Sequence, residues 1–277
     1  MAMKPERAAE LDALCLTFRQ RLVRLLHAIQ TGHPGGSLSA CEILTVLYFE
    51  KASVNPADPR DPARDRIILS KGHAAPMLYL ALAEKGFFPA SDLAGLRQCG
   101  SHLQGHPCPS RTPGVELPSG PLGMGLSAGL GKALALRLDR SPAHVYVILG
   151  DGELNEGTVW EAAMAAAKFH PGNLTAIVDR NRVQLDGSCA DIMPMGDLAA
   201  KWRAFGWKTL ICDGHDVAAL AGAFDEAKEE KASPTVIVAE TIKGAGVSFM
   251  EGKNTWHGSP IGDEQLALAL RELEGDI

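Results

Sequence analysis

The residues with the clearest chemical purpose lie between Val145 and Gly187, in the run VYVILGDGELNEGTVWEAAMAAAKFHPGNLTAIVDRNRVQLDG. Asp151, set between Gly150 and Gly152, offers a carboxylate, and Asn181 offers an amide oxygen. Twenty-eight residues lie between Gly152 and Asn181. Both groups are hard oxygen donors, and the flanking glycines admit a close approach to the backbone. That combination suits Mg²⁺ holding a diphosphate. The GDG triplet alone is equally a glycine-rich turn with a solvated Asp.

For these residues to meet, the chain between them must run from one strand end to the next. Val145–Leu149 is a continuously apolar, β-branched run, as expected of a strand buried on both faces. Glu153–His170 has helical composition, and Pro171-Gly172 ends it. Leu174–Val178 is a second apolar run, which delivers Asp179-Arg180-Asn181. Both polar clusters therefore emerge at the same end of a parallel sheet, where open α/β sheets bind ligands.

The flanking segments fit the same plan. Apolar residues from Leu11 to Ile29 recur at helical spacing, and Gly32 and Pro34 end that helix. Ser39 and Glu42 read as a capping box for a helix through Phe49. Arg66–Ser70 reads as a strand ending in Lys71-Gly72-His73, followed by a helix over Ala75–Lys85. Gly100–Gly120 is a long irregular loop with His102 and His106, of the kind that is usually functional or disordered. The helix after it carries Gly123, Gly125, Gly129 and Gly131, which only makes sense if it packs closely on backbone or on a cofactor. It is no dinucleotide fingerprint, because Gly129 falls one residue late and no strand precedes it. Further on, the sequence predicts a helix over Leu198–Phe205, a strand over Trp207–Cys212, a helix over Val217–Glu230 and a strand over Pro234–Ala239. A loop with Lys243 and His257 and a helix over Asp263–Leu273 follow. The expected architecture is α/β: one doubly wound, mostly parallel sheet with helices on both faces, over residues 1–277.

Composition narrows the function classes. The chain has 277 residues, 46% hydrophobic and 22% charged, as in ordinary globular proteins. A net charge of −6 without a basic stripe argues against a nucleic-acid surface. No apolar run is long enough to span a bilayer, and the N-terminus lacks a signal-peptide core. The six cysteines are scattered without a CxxC pair, which suits reduced thiols in a cytoplasmic protein.

Taken in order, TGHPGG at His33, SKGHAAPMLY at His73, GHP at His106, SGPLGMGLSAGLG from Ser119, LGDGELNEGTVWEA, DRNRVQLDG, KGAG and WHG at His257 resemble the transketolases over nearly the whole chain. The resemblance implies a thiamine diphosphate-binding fold and an enzyme that moves a two-carbon ketol unit from a ketose to an aldose, both commonly phosphorylated. Carried over residue by residue, it implies Mg²⁺ held by the side chains of Asp151 and Asn181 and by the carbonyl of Val183. Gly150 and Gly152 would meet the diphosphate, with Lys243 adding positive charge, and Gly120 and Leu122 would line the thiamine side. His33, His73, His106 and His257 would ring the reactive carbon, where imidazoles can bind sugar hydroxyls and shuttle protons. Glu156 and Glu161 match acidic positions that link paired active sites across a subunit interface. Met124, where Gln is common, and Cys108, where Glu is common, would alter the substrate rim. His102 stays open, and His27, His144, His170 and His215 read as solvated loop residues.

The family's second domain, which binds the aminopyrimidine and supplies the activating glutamate, has no counterpart in these residues. The expectation is thus an N-terminal, diphosphate-binding subunit of a split transketolase. It would pair with a separate C-terminal subunit, as a two-plus-two heterotetramer. Alternatives are a split enzyme acting on a branched or sulfonated ketose, and a non-catalytic binding or regulatory subunit.

Overall fold

In a computed structural model of the chain, which describes residues 3–275, the long apolar runs become the middle of a sheet. The strands β1 (Arg66–Leu69), β2 (Val145–Gly150), β3 (Leu174–Arg180), β4 (Lys208–Asp213) and β5 (Thr235–Glu240) are all parallel, in the order β1-β2-β3-β5-β4. Every residue of β2 is buried, as its unbroken apolar sequence requires. The edge strand β4 is half exposed and correspondingly more polar.

The helices, in chain order, are α1 (Pro5–Ile29), α2 (Pro34–Ser39), α3 (Cys41–Val46), α4 (Ala75–Lys85), α5 (Met124–Leu138), α6 (Gly157–Phe169), α7 (Cys189–Ile192), α8 (Leu198–Ala204), α9 (Val217–Glu229) and α10 (Asp263–Glu274). Strand side chains alternate between the two faces. Tyr146, Ile148 and Ile177 join a core with α1, α3, α4, α9 and α10. Val145, Val147, Leu149, Ala176 and Val178 join a second core with α5, α6 and α8. The fold is thus the doubly wound α/β arrangement expected.

Register sets the site. Gly150 pairs with Asp179, and Asp179 with Ala239, so β2, β3 and β5 end level with one another. Asp151, Asn181 and Thr241 follow immediately on adjacent strands.

Two local expectations fail for one reason: polar side chains serve tertiary partners instead of helix ends. Ser39 caps nothing: the helix expected from there through Phe49 is α3, continued by a π-helical turn over Leu47–Lys51, and a separate short helix, α2, precedes it across Ala40. The Ser39 hydroxyl donates to Asp179 (2.6 Å), and Glu42 pairs with Arg19 (2.6 Å). Likewise α6 starts at Gly157 rather than Glu153. Residues Gly152–Asn155 form a 3-10 turn, with the Glu153 carboxylate folded back to accept from the Gly150 (3.0 Å) and Gly123 (2.8 Å) N–H groups.

The glycines of α5 pack on the sheet. A Cβ on Gly125 would lie 2.3 Å from Ser70 Cβ, and one on Gly129 2.5 Å from Val147 Cγ2. Gly131 faces open space. Gly125→Ala should therefore destabilise the chain by about 1–3 kcal/mol through overpacking. Gly131→Ala should stabilise it by about 0.5–1 kcal/mol through helix propensity. Urea denaturation of the two variants checks this; equal shifts would contradict the packing described.

Candidate active site

The floor of the site is a buried ion pair. Lys71, past β1, and Asp179, the penultimate residue of β3, are each almost wholly excluded from solvent and bonded through Nζ and Oδ2. Lys71 also donates to the Gly36 carbonyl (2.9 Å), while Asp179 accepts from the Ser39 and Thr241 hydroxyls. Burial alone would raise the Asp179 carboxyl. The Lys71 ammonium and the two hydroxyls overcome that and hold it below the usual range.

Above the floor, Asp151 accepts from the N–H groups of Gly152 (2.9 Å) and Arg182 (2.5 Å). Arg182 sits at φ 65°, in the left-handed region, and so turns the chain sharply after Asn181. Asn181 Oδ1 accepts from the Val183 N–H (3.2 Å), and Lys243 Nζ donates to the carbonyls of Val183 and Gln184 (3.2 Å each). Among the described residues no cationic side chain pairs with Asp151. Burial, and after it the Asp179 charge, push its carboxyl up to about 6. Burial, and after it Lys71, push Lys243 down to about 8.

This is where a divalent cation and diphosphate fit. A buried carboxylate lacking a counter-ion beside an amide oxygen and a carbonyl is a hard-oxygen donor set that a divalent cation would complete. Lys243, short of an anionic partner at the cavity, offers the matching positive charge.

The other end of the cavity is a cluster of imidazoles. Ring centroids lie 5.6 Å apart for His33–His73, 6.2 Å for His33–His106, 5.4 Å for His33–His257 and 4.9 Å for His73–His257. They come from the loop before α2, the turn after β1, the long loop before α5 and the loop after β5. Burial leads in lowering all four. Neighbouring His257 and Arg97 then help bring His33 to about 4, Lys243 helps bring His257 to about 4, and Lys71 helps bring His73 well below the ordinary value. His106 is lowered by burial and then by Arg97. All four are neutral at pH 7, so each ring has one donor and one acceptor nitrogen. Lys243 Nζ lies 3.1 Å from His257 Nδ1, which makes that nitrogen the acceptor.

Both ends open into one cavity of about 320 Å³. Of the residues singled out in the sequence, the four histidines, Asp151, Asn181, Val183 and Lys243 line it. Gly120, Leu122, Gly150, Gly152 and, at an exposed rim, Glu156 do so too. Glu161 does not: it lies exposed on α6. Cys108 and Met124 also lie outside the lining. His102 bonds Asp92 (3.0 Å) away from the cavity.

Two histidines expected to be solvated are structural. His144 is buried, bonds Thr175 (2.8 Å) and is pushed down to about 3, mainly by burial. His215 bridges Glu42 (3.0 Å) and the Ile242 N–H (2.8 Å), next to Lys243. Lys71, Asp179, Glu153 and Ser39 are site residues that sequence reasoning misses, although each sits beside a strand end or a motif.

Comparison with known proteins places this geometry. Residues 13–275 match the profile of the family "Transketolase, thiamine diphosphate binding domain". The chain is 42% identical over 269 residues to a 6-deoxy-6-sulfo-D-fructose transketolase subunit of Clostridium sp. (strain MSTE9), covering 97% of this chain and 98% of that one. It is 40% identical over 259 residues to an apulose-4-phosphate transketolase subunit from Phocaeicola vulgatus, covering 94% and 92%. A transketolase from Pichia stipitis, solved with sedoheptulose-7-phosphate, superposes with a TM-score of 0.88 at 33% identity, covering 96% of this chain and 40% of that one. The chain thus spans well under half the length of that solved enzyme. It belongs to the transketolase family and carries that family's thiamine diphosphate-binding domain.

Proposed function

We propose that this chain is the diphosphate-binding, N-terminal subunit of a thiamine diphosphate- and Mg²⁺-dependent transketolase, transferring a two-carbon ketol unit from a ketose to an aldose. The observation that carries the reading is one cavity with two chemically opposite ends: a hard-oxygen cradle at Asp151, Asn181 and Val183, and four neutral imidazoles facing it. Thiamine diphosphate, when bound, supplies the nucleophilic carbon needed to cleave the bond next to a ketose carbonyl. Asp151, Asn181 and the Val183 carbonyl hold Mg²⁺, and Lys243 and the Gly152 backbone neutralise and orient the diphosphate. The histidines bind sugar hydroxyls, each neutral ring offering one donor and one acceptor nitrogen. A non-catalytic subunit would have no use for that ring of imidazoles.

A separate pyrimidine-side subunit supplies the activating glutamate, with a two-plus-two assembly as the simplest arrangement. Support comes from relatives of similar length whose names make them subunits. The same names favour an unusual ketose, sulfonated or branched, as donor over the common ketose phosphates. Glu156 at the rim and Glu161 beyond it then belong to the subunit interface. A cytoplasmic location suits six unpaired cysteines.

The direct test is ketol transfer by the chain mixed with its candidate partner, thiamine diphosphate and Mg²⁺, across a panel of phosphorylated, sulfonated and branched ketoses. Turnover in the mixture and none in either chain alone is expected; full turnover by this chain alone would refute the division of labour. Asp151→Ala should weaken Mg²⁺-dependent cofactor binding by about a hundredfold, equivalent to about 2.7 kcal/mol. Titration calorimetry that finds wild-type affinity would remove Asp151 from the metal site.

The lowered imidazoles make stability pH-dependent. Below pH 6.5 the unfolded chain protonates His33, His73 and His257 while the folded chain does not, down to about 4 for His33 and His257. Their contribution is therefore present above pH 6.5 and lost as pH falls toward 4. Asp151, raised to about 6, acts in the opposite sense and offsets part of it. The cofactor-free chain should show a lower urea midpoint at pH 5 than at pH 7. A higher midpoint at pH 5 would contradict the buried, neutral ring.

A further inference from the structure

Arg97 stands at the edge of the imidazole cluster without a carboxylate. Among the described residues its guanidinium bonds the Thr31 hydroxyl (2.9 Å) and lies 3.3 Å from His33 Nδ1, and no ion pair involves it. Its Nε is buried without a partner. An unpaired cation is an expensive neighbour for a buried imidazole, and the loop around it is shaped to keep it there. Arg97 itself sits at φ 62°, a left-handed conformation that few non-glycine residues adopt. Its N–H donates to the Leu103 carbonyl (2.9 Å), closing the loop, and the Tyr79 hydroxyl donates to the Gln104 carbonyl (2.8 Å), pinning the far side. Gly105 completes the seat: a Cβ there would come within 3.1 Å of Arg97 Nε and 3.2 Å of the guanidinium carbon.

We propose that Arg97 is a positioning residue for ketol transfer, one that fixes the tautomer of His33 by donating to Nδ1 and so keeps the ring proton on Nε2. Arginine is always charged and has only donors, so a nitrogen it bonds must be an acceptor. Nε2 is left as the ring nitrogen free to donate to a substrate oxygen. Lys243 acts on His257 Nδ1 in the same way, so two cations hold two rings of the cluster in one tautomer. The other charged or titratable groups facing His33 are His73, His106, His257 and Lys243.

The inference rests on the transketolase reading for its kinetic consequence, but the tautomer can be read without turnover. Long-range ¹H–¹⁵N spectra of the imidazoles, in wild type, Arg97→Met and Arg97→Lys, make the test. Wild type should show His33 protonated at Nε2. Arg97→Met should show a mixed tautomer and a His33 titration midpoint raised by about one unit or more. Arg97→Lys should restore most of both. In the reconstituted enzyme Arg97→Met should lower kcat by about tenfold or more with a smaller change in KM, as expected when a transition-state contact is lost. Gly105→Ala leaves Arg97 in the sequence but asks its guanidinium to give by a few tenths of an ångström, and should shift the spectrum in the same direction by less. An unchanged His33 tautomer in a folded Arg97→Met protein would overturn the proposal. A raised KM with unchanged His33 spectra would make Arg97 a substrate contact instead, and also overturn it. Changed spectra with no turnover in any preparation would leave the tautomer assignment standing and count against the ketol-transfer reading.

Discussion

The buried Lys71–Asp179 pair is the constraint on which the site depends. Two opposite charges out of water are tolerable only when every remaining donor and acceptor is satisfied, and breaking such a pair costs about 3–5 kcal/mol. Satisfying it pulls four parts of the chain together: Gly36 and Ser39 from α2, Lys71 after β1, Asp179 in β3 and Thr241 after β5. Three residues with proposed roles then follow two positions later: His73 after Lys71, Asn181 after Asp179 and Lys243 after Thr241. The ion pair is no part of the chemistry, yet it sets where the chemistry sits.

The cavity above it is unbalanced in charge in a way that defines its ligand. At one end a buried carboxylate has no cationic partner among the described residues and is raised to about 6, while an ammonium is lowered to about 8. Both groups would return toward their ordinary behaviour beside a cation bridged to an anion. At the other end burial keeps the imidazoles uncharged, so they can donate and accept but add little field of their own. A charged cofactor tail and the hydroxyls of a sugar make complementary demands on these two ends.

Much of this is legible in the sequence because parallel strand–helix–strand units convert spacing into position. Asp151 and Asn181 read as neighbours from their place after two apolar runs, and the four cavity histidines from their loops. The buried charges are not legible. Lys71 and Asp179 are 108 residues apart, and each looks like a solvated residue after a strand until its partner is known. Ser39 and Glu42 have the spacing of a capping box, but tertiary partners outcompete the local one. His215 and His144 look bland for the same reason, since a fixed hydrogen-bond partner leaves no trace in one dimension. Arg97 needs three dimensions too: its role depends on a loop conformation and on the missing side chain of Gly105.

The proposed metal seat for a bound diphosphate is made by Asp151, Asn181 and the Val183 carbonyl. Crystals of the chain, alone and with its pairing subunit, grown with thiamine diphosphate and Mn²⁺ in place of Mg²⁺, would locate the ion by anomalous scattering. A peak is expected within coordination distance of all three oxygens, with diphosphate oxygens completing the shell and Lys243 turned toward them. A cofactor bound with its diphosphate elsewhere in the cavity, or an ion that bypasses Asp151, would contradict it.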